Sequence, residues 1–174
     1  MVLTLMCGLA FAGKSTLARQ LCAALPAELI SLDDINAERG LDGGQGIPLE
    51  AWAETNRLAH ERAADALRQG RNVVVDDSGS PRFVRDRWRE VAAASHTAFA
   101  IVWVQIDPTR QRTRVDANRS AHRRRDITDH VLEAHTVHFE APVAENPITI
   151  DADHTANPGR VQGVIEQLHE LDRR

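Results

Sequence analysis

At 174 residues and 43% hydrophobic, the chain is the size of one domain, 1–174, with enough apolar material for a core that needs no staples. A net charge of −4 and the absence of tyrosine argue against a surface that grips long nucleic acid, and no apolar run reaches the eighteen or so residues of a membrane helix. Two cysteines, both at positions expected to pack, point to a reducing, cytoplasmic setting rather than a disulfide framework.

The first predicted element is a short buried strand over residues 2–6. It leads into Gly8-Leu9-Ala10-Phe11-Ala12-Gly13-Lys14-Ser15-Thr16 and a helix over 15–25 with Leu17, Ala18, Leu21, Cys22 and Leu25 on one face. No positive region precedes the apolar start, so it does not read as a secretory leader. The first eight of these residues, Gly8 to Ser15, fit G-x-x-x-x-G-K-[ST], a loop whose backbone N–H groups cradle the phosphates of a nucleoside triphosphate. Among the 21 Lys and Arg residues, Lys14 is the one lysine. A chain otherwise built on arginine keeps lysine where a compact ammonium on a thin stem must reach the β- and γ-phosphates, a slot too narrow for a planar guanidinium. In this reading Gly8, Ala10, Phe11, Ala12 and Gly13 form the cradle and Ser15 ligates a Mg²⁺ bridging the phosphates. Thr16 meets the α-phosphate at the helix N-terminus.

A second strand, 29–32, runs into Asp33 and Asp34. A carboxylate at the carboxyl edge of the sheet can orient an incoming hydroxyl and accept its proton; the competing role is capping a short helix through Glu38. Asp33, first off the strand, is the preferred catalytic residue, with Asp34 beside the substrate. A glycine loop, 40–48, and a long helix, 49–69, follow. In a doubly wound sheet such a loop lies where a substrate can be covered. Trp52, Asn56 and His60 share one face of the helix, either as packing or as substrate wall, and Trp52 is taken as a substrate residue.

A third strand, 73–75, ends in Asp76 and Asp77. Neighbouring strand residues face opposite ways, so Asp76 is assigned to the metal and Asp77 to the substrate, with a plain Asp-Asp-Ser-Gly turn as the alternative. After a fourth strand, 98–106, comes an arginine cluster at 118–128. Arg119 and Arg123, four apart on a helix, project together and can clamp the phosphates opposite Lys14 as part of a short lid; a solvated charge run is the plain alternative. His130, His135 and His138 have no fourth ligand near them, so zinc is not expected. A last strand, 148–150, completes an α/β pattern: a five-stranded parallel sheet in three layers, with helices on both faces.

The phosphate loop, Leu32-Asp33-Asp34, Asp76-Asp77 and the spaced arginines resemble the small P-loop kinase family that includes chloramphenicol phosphotransferase and polynucleotide kinase. The resemblance implies a sheet ordered as in adenylate kinase, with the phosphate loop on the central strand, the base on Asp33 and the two lid arginines on Arg119 and Arg123. Asn36 stands where polynucleotide kinases carry an arginine, and Ser78-Gly79 where many relatives have Thr-Asn, which favours a small acceptor. The expected activity is therefore Mg²⁺-dependent transfer of the γ-phosphoryl of ATP, or of GTP, to a hydroxyl of a small molecule such as an antibiotic or another secondary metabolite. The alternatives are a polynucleotide or RNA end kinase and a nucleotide-binding switch that transfers nothing.

Overall fold

A computed structural model of the chain describes residues 1–41, 46–122 and 124–173. Strand β1 (Val2–Cys7) is buried at every residue, and its apolar run needs cover on both faces. Helix α1 (Lys14–Ala24) supplies one cover, burying Leu17, Ala18 and Leu21. Strand β2 (Ala27–Ser31) stops one residue sooner than its apolar run suggests, because Ser31 accepts a hydrogen bond from the Asp34 N–H and caps α2 (Leu32–Glu38). Helix α3 (Leu49–Arg68) turns a stripe of Thr55, Ala59, Ala63, Ala66 and Leu67 inward; small side chains let it lie close to the sheet.

Strand β3 (Asn72–Asp76), helix α4 (Arg82–Ala94), strand β4 (Ala98–Gln105), helices α5 (Pro108–Ala121) and α6 (Asp129–Val137), strand β5 (Ile148–Asp151) and helix α7 (Pro158–Asp172) follow. The expected lid therefore starts inside α5, whose last turn takes in Asn118 and Arg119.

The sheet is parallel throughout, in the order β2-β3-β1-β4-β5, so β1 and the loop it feeds lie at the centre. One layer packs α1 and α7 around Met6, Val102 and Leu168; the other packs α2, α3 and α4 around Leu5, Ile35 and Trp88. Each fully buried leucine or isoleucine contributes about 1.5–3 kcal/mol over exposure, which favours this three-layer arrangement over any that leaves a sheet face wet. Both cysteines are free, and burial pushes the Cys7 thiol up to about 12, as suits an inert core residue. Among the described residues no helix is long and apolar enough to cross a membrane.

Register then decides what meets at the carboxyl edge. Ser31 lies abreast of Asp76, so Asp33, two residues beyond β2, and Asp76, the end of β3, reach the same rim beside the loop leaving β1.

Candidate active site

The phosphate loop is held from behind. Gln111 Nε2 donates to the Ala10 carbonyl at 2.9 Å and Arg114 Nη1 to those of Phe11 and Ala12, each at 3.0 Å, while on the cavity side Lys14 Nζ donates to the Leu9 carbonyl at 3.0 Å. Planar trans peptides place each N–H opposite the preceding carbonyl, so a loop held by its carbonyls leaves N–H groups on the other side. Gly13 closes the loop at φ 104, and a Cβ there would meet Thr155 Oγ1 at 2.8 Å; only glycine fits both demands. The N–H groups opening α1 follow directly, where the helix dipole favours an anion. Gly8, by contrast, spends its N–H on the Ser78 carbonyl at 2.9 Å, and Ala12 is fully buried beneath the loop.

A cavity of about 620 Å³ opens over this loop. Ala10, Phe11, Gly13, Lys14, Ser15 and Thr16 line it from the loop, Asp33 and Trp52 from α2 and α3, and Asp76 and Asp77 from the end of β3. Ser31 caps α2, so neither aspartate is needed as its N-cap residue. Asp33 faces the cavity, whereas Asp34, expected beside the substrate, is exposed outside it. Asn56 also lines the cavity; His60, the third residue of that expected face, stacks edge-on against the buried Trp88 with ring centroids 4.3 Å apart. Asn36 is completely buried, its Oδ1 accepting from Thr55 Oγ1 at 2.5 Å, so that position serves α2–α3 packing.

The charges in the cavity perturb one another. Burial lowers the Lys14 pKa, opposed by Asp76 and Asp77. Burial raises Asp76, opposed by a hydrogen bond from Ser15 and by Lys14, and raises Asp77, opposed by the Ser78 N–H, which donates at 2.6 Å. Burial, aided by Lys14, lowers His135, a cavity residue from α6 that the sequence pattern did not single out as one.

Of the two arginines expected in a lid, Arg119 lies elsewhere than expected. Arg119 does not line the cavity: its Nε donates to both oxygens of Asp126 at 3.2 and 3.1 Å, its Nη2 to the Ile127 carbonyl at 2.8 Å, and it pairs with Asp129 at 3.1 Å. Carboxylates supplied by the next turn of chain hold it where phosphates were expected to. Arg123 lies outside the described residues. Arg124 and Arg125 line the cavity instead. The Asn118 side chain clasps the Arg124 backbone, donating to its carbonyl at 3.1 Å and accepting from its N–H at 3.0 Å, and the Arg124 guanidinium lies 4.3 Å from the Phe11 ring centroid.

A second arginine group lies beneath the turn after β3. Arg85, with a side chain 1% exposed, pairs with Glu145 at 2.6 Å and donates to the carbonyls of Gly79 at 2.7 Å and Glu140 at 2.8 Å; Arg89 takes the other Glu145 oxygen at 2.8 Å. Gly79 sits at φ 62, with the Met6 carbonyl 2.8 Å from where a Cβ would be. The brace thus presses the turn carrying Asp77 and Ser78 onto the exit of β1. Among the described residues no group of three acidic, histidine or cysteine side chains forms a metal cage.

Known proteins share this frame. A gluconokinase from Sinorhizobium meliloti 1021 superposes with a TM-score of 0.69 at 20% identity, covering 98% of this chain and 93% of its own. Chaetomium thermophilum Kti12 in complex with ADP-AlF3 gives 0.73 at 19% identity, with 98% of each chain covered. The Mycobacterium tuberculosis APS kinase CysC, in complex with AMPPNP and APS, gives 0.70 at 19% identity, with 96% of each covered. No curated protein matches in sequence. A family model described as an AAA domain matches residues 3–142; with the sheet order and phosphate loop above, the chain belongs to that family and has the adenylate-kinase-like P-loop kinase fold.

Proposed function

We propose that the protein transfers the γ-phosphoryl group of ATP to a hydroxyl of a small molecule. The observation that carries this reading is the meeting of Asp33, Lys14, Ser15 and Asp76 in one cavity at the carboxyl edge of the sheet, a set that nucleotide binding alone does not require. Lys14 sits where its ammonium meets the β- and γ-phosphates once the nucleotide displaces it from the Leu9 carbonyl. Asp33 orients the acceptor hydroxyl and takes its proton as the transferring group separates from ADP. Arg124, held by Asn118 at the cavity mouth, offsets charge on the phosphates, with Arg123 as the further lid candidate. The acceptor, in this reading an alcohol of the antibiotic or secondary-metabolite kind, lies against Trp52 and Asp77.

The donor set also fits Mg²⁺. Ser15 and Asp76 offer a hydroxyl and a carboxylate already close enough to interact, hard oxygens of the kind this ion takes alongside phosphate oxygens. They would hold the ion, which when bound neutralises phosphate charge.

The test is a split between two variants. Asp33→Asn is expected to lower kcat by about 10²–10⁴ while leaving ATP affinity unchanged. Lys14→Ala is expected to weaken ATP binding and abolish measurable transfer. Full transfer by Asp33→Asn, measured with γ-labelled ATP and a phosphorylated acceptor, would remove Asp33 as the base. Transfer to an RNA 5′ end that weakens steeply with salt would favour the nucleic-acid reading instead.

A further inference from the structure

The two sides of the cavity differ in charge. Lys14, Arg124 and Arg125, with the one acid Asp126 beside them, come from the loop and the expected lid, the side that meets the triphosphate in this reading. The opposite wall, from α2, α3 and the turn after β3, presents Asp33, Asp77, Trp52, Asn56, Ser78 and Ser80. Among the described residues no lysine or arginine lines the cavity from that wall. Arginines near these residues in sequence are committed elsewhere: Arg39 donates to the Ala51 carbonyl at 2.6 Å and to Thr55, tying α2 to α3, Arg57 pairs with Glu54 and Glu61, Arg82 with Asp86, and Arg85 is sealed against Glu145. Asn56 spends an amide hydrogen on the Trp52 carbonyl at 2.8 Å, which leaves the wall richer in acceptors than donors.

We infer that the acceptor is an uncharged or cationic alcohol with a flat apolar face, stacked on Trp52 and donating hydrogen bonds to the acid and amide oxygens around it. Alcohols carrying a carboxylate, phosphate or sulfate are rejected. An anion on this wall would face Asp33 and Asp77 with no cation of its own, because the nucleotide phosphates engage Lys14 and the lid; like charges set together without a partner are selected against. The inference rests on the phosphotransferase reading for the word acceptor, but the charge preference of the wall is measurable without transfer.

Three probes share a benzene ring and a primary alcohol and differ in charge: 4-(hydroxymethyl)benzylamine, 4-(hydroxymethyl)benzamide and 4-(hydroxymethyl)benzoate. Titrated calorimetrically into the full chain with ADP and Mg²⁺ present, the amine and amide are expected to bind on the order of tenfold more tightly than the benzoate. Trp52→Ala is expected to weaken the amide about three- to tenfold, with ADP affinity unchanged as the check that the variant is folded. Equal or tighter binding of the benzoate, no binding of any probe, or no effect of Trp52→Ala overturns the inference. The same probes incubated with γ-labelled ATP separate the two readings. Labelled benzoate keeps the kinase and sinks the charge selection; bound but unlabelled amine and amide keep the charge selection and count against the kinase.

Discussion

Two arginine networks flank the cavity, and they differ in depth. Beneath the turn after β3, Arg85 and Glu145 have side chains 1% and 7% exposed, and the arginine also holds two backbone carbonyls. In the lid, Arg119 pairs with Asp126 and Asp129 across side chains 30%, 51% and 63% exposed. The chemistry is the same, guanidinium to carboxylate, but water decides its weight. The buried pair has no competing solvation once formed, so it fixes the wall that carries Asp77 and Ser78. The exposed pairs trade readily with water and salt, which would suit the lid proposed above, opening for nucleotide and closing over it.

The sharpest way to break this contrast is to remove one buried partner. Arg85→Met leaves the Gly79 and Glu140 carbonyls without their donor and Glu145 with only the half-exposed Arg89. A loss of about 3–5 kcal/mol in urea-induced unfolding is expected. A loss below about 1 kcal/mol would mean that the brace is no stronger than a surface pair.

A smaller effect follows from acid. Burial would raise the Glu145 carboxyl, but hydrogen bonds from Arg85 and Arg89 outweigh it and hold the group below its ordinary value of 4.5. A depressed carboxylate contributes stability that is fully present above the unfolded value and is lost as pH falls through the folded one. The stability difference between the wild type and Glu145→Gln should therefore be constant from pH 7 to about 5.5 and shrink below about 4.5. A difference that stays constant down to pH 3, read from unfolding curves at each pH, would show that Glu145 is not held by these arginines.

These networks also mark where the sequence stops being readable. The phosphate loop, the strands and the place of Asp33 at the cavity are legible because their signals are local: a fixed spacing, an apolar run, an acid just past a strand end. The sheet order came from resemblance, since periodicity says nothing of which strand lies next to which. The Arg85–Glu145 brace joins residues 60 positions apart, and Arg114 reaches back 103 positions to hold Phe11. Neither leaves a local pattern, and Arg85 in isolation reads as one more exposed cation on a charged helix. Arg119 misled for the same reason: helical spacing predicts a face shared with Arg123, but α5 ends at Ala121, and spacing does not say that Asp126 and Asp129 return to meet Arg119. Asn118 is legible only afterwards, as a polar residue at the end of α5 that pays for its burial by clasping Arg124.

The lid half of the contrast gives the smallest effect and the most specific signature. Arg119 does not face the cavity, so its removal acts through the path of residues 124–129 and not through a lost phosphate contact. Arg119→Ala is expected to lower kcat on the order of tenfold by loosening the placement of Arg124, with little change in global stability. Arg124→Ala should produce a similar loss, and the double variant should fall well short of the product of the two, because one arginine serves the other. Salt separates the positions further. Raising it from about 0.05 to about 0.5 M should weaken the exposed lid pairs and slow the wild type, while the Arg119→Ala enzyme, already lacking them, responds less. If Arg119 instead met the nucleotide directly, the two single losses would multiply in the double variant, and ATP affinity would fall with the first substitution.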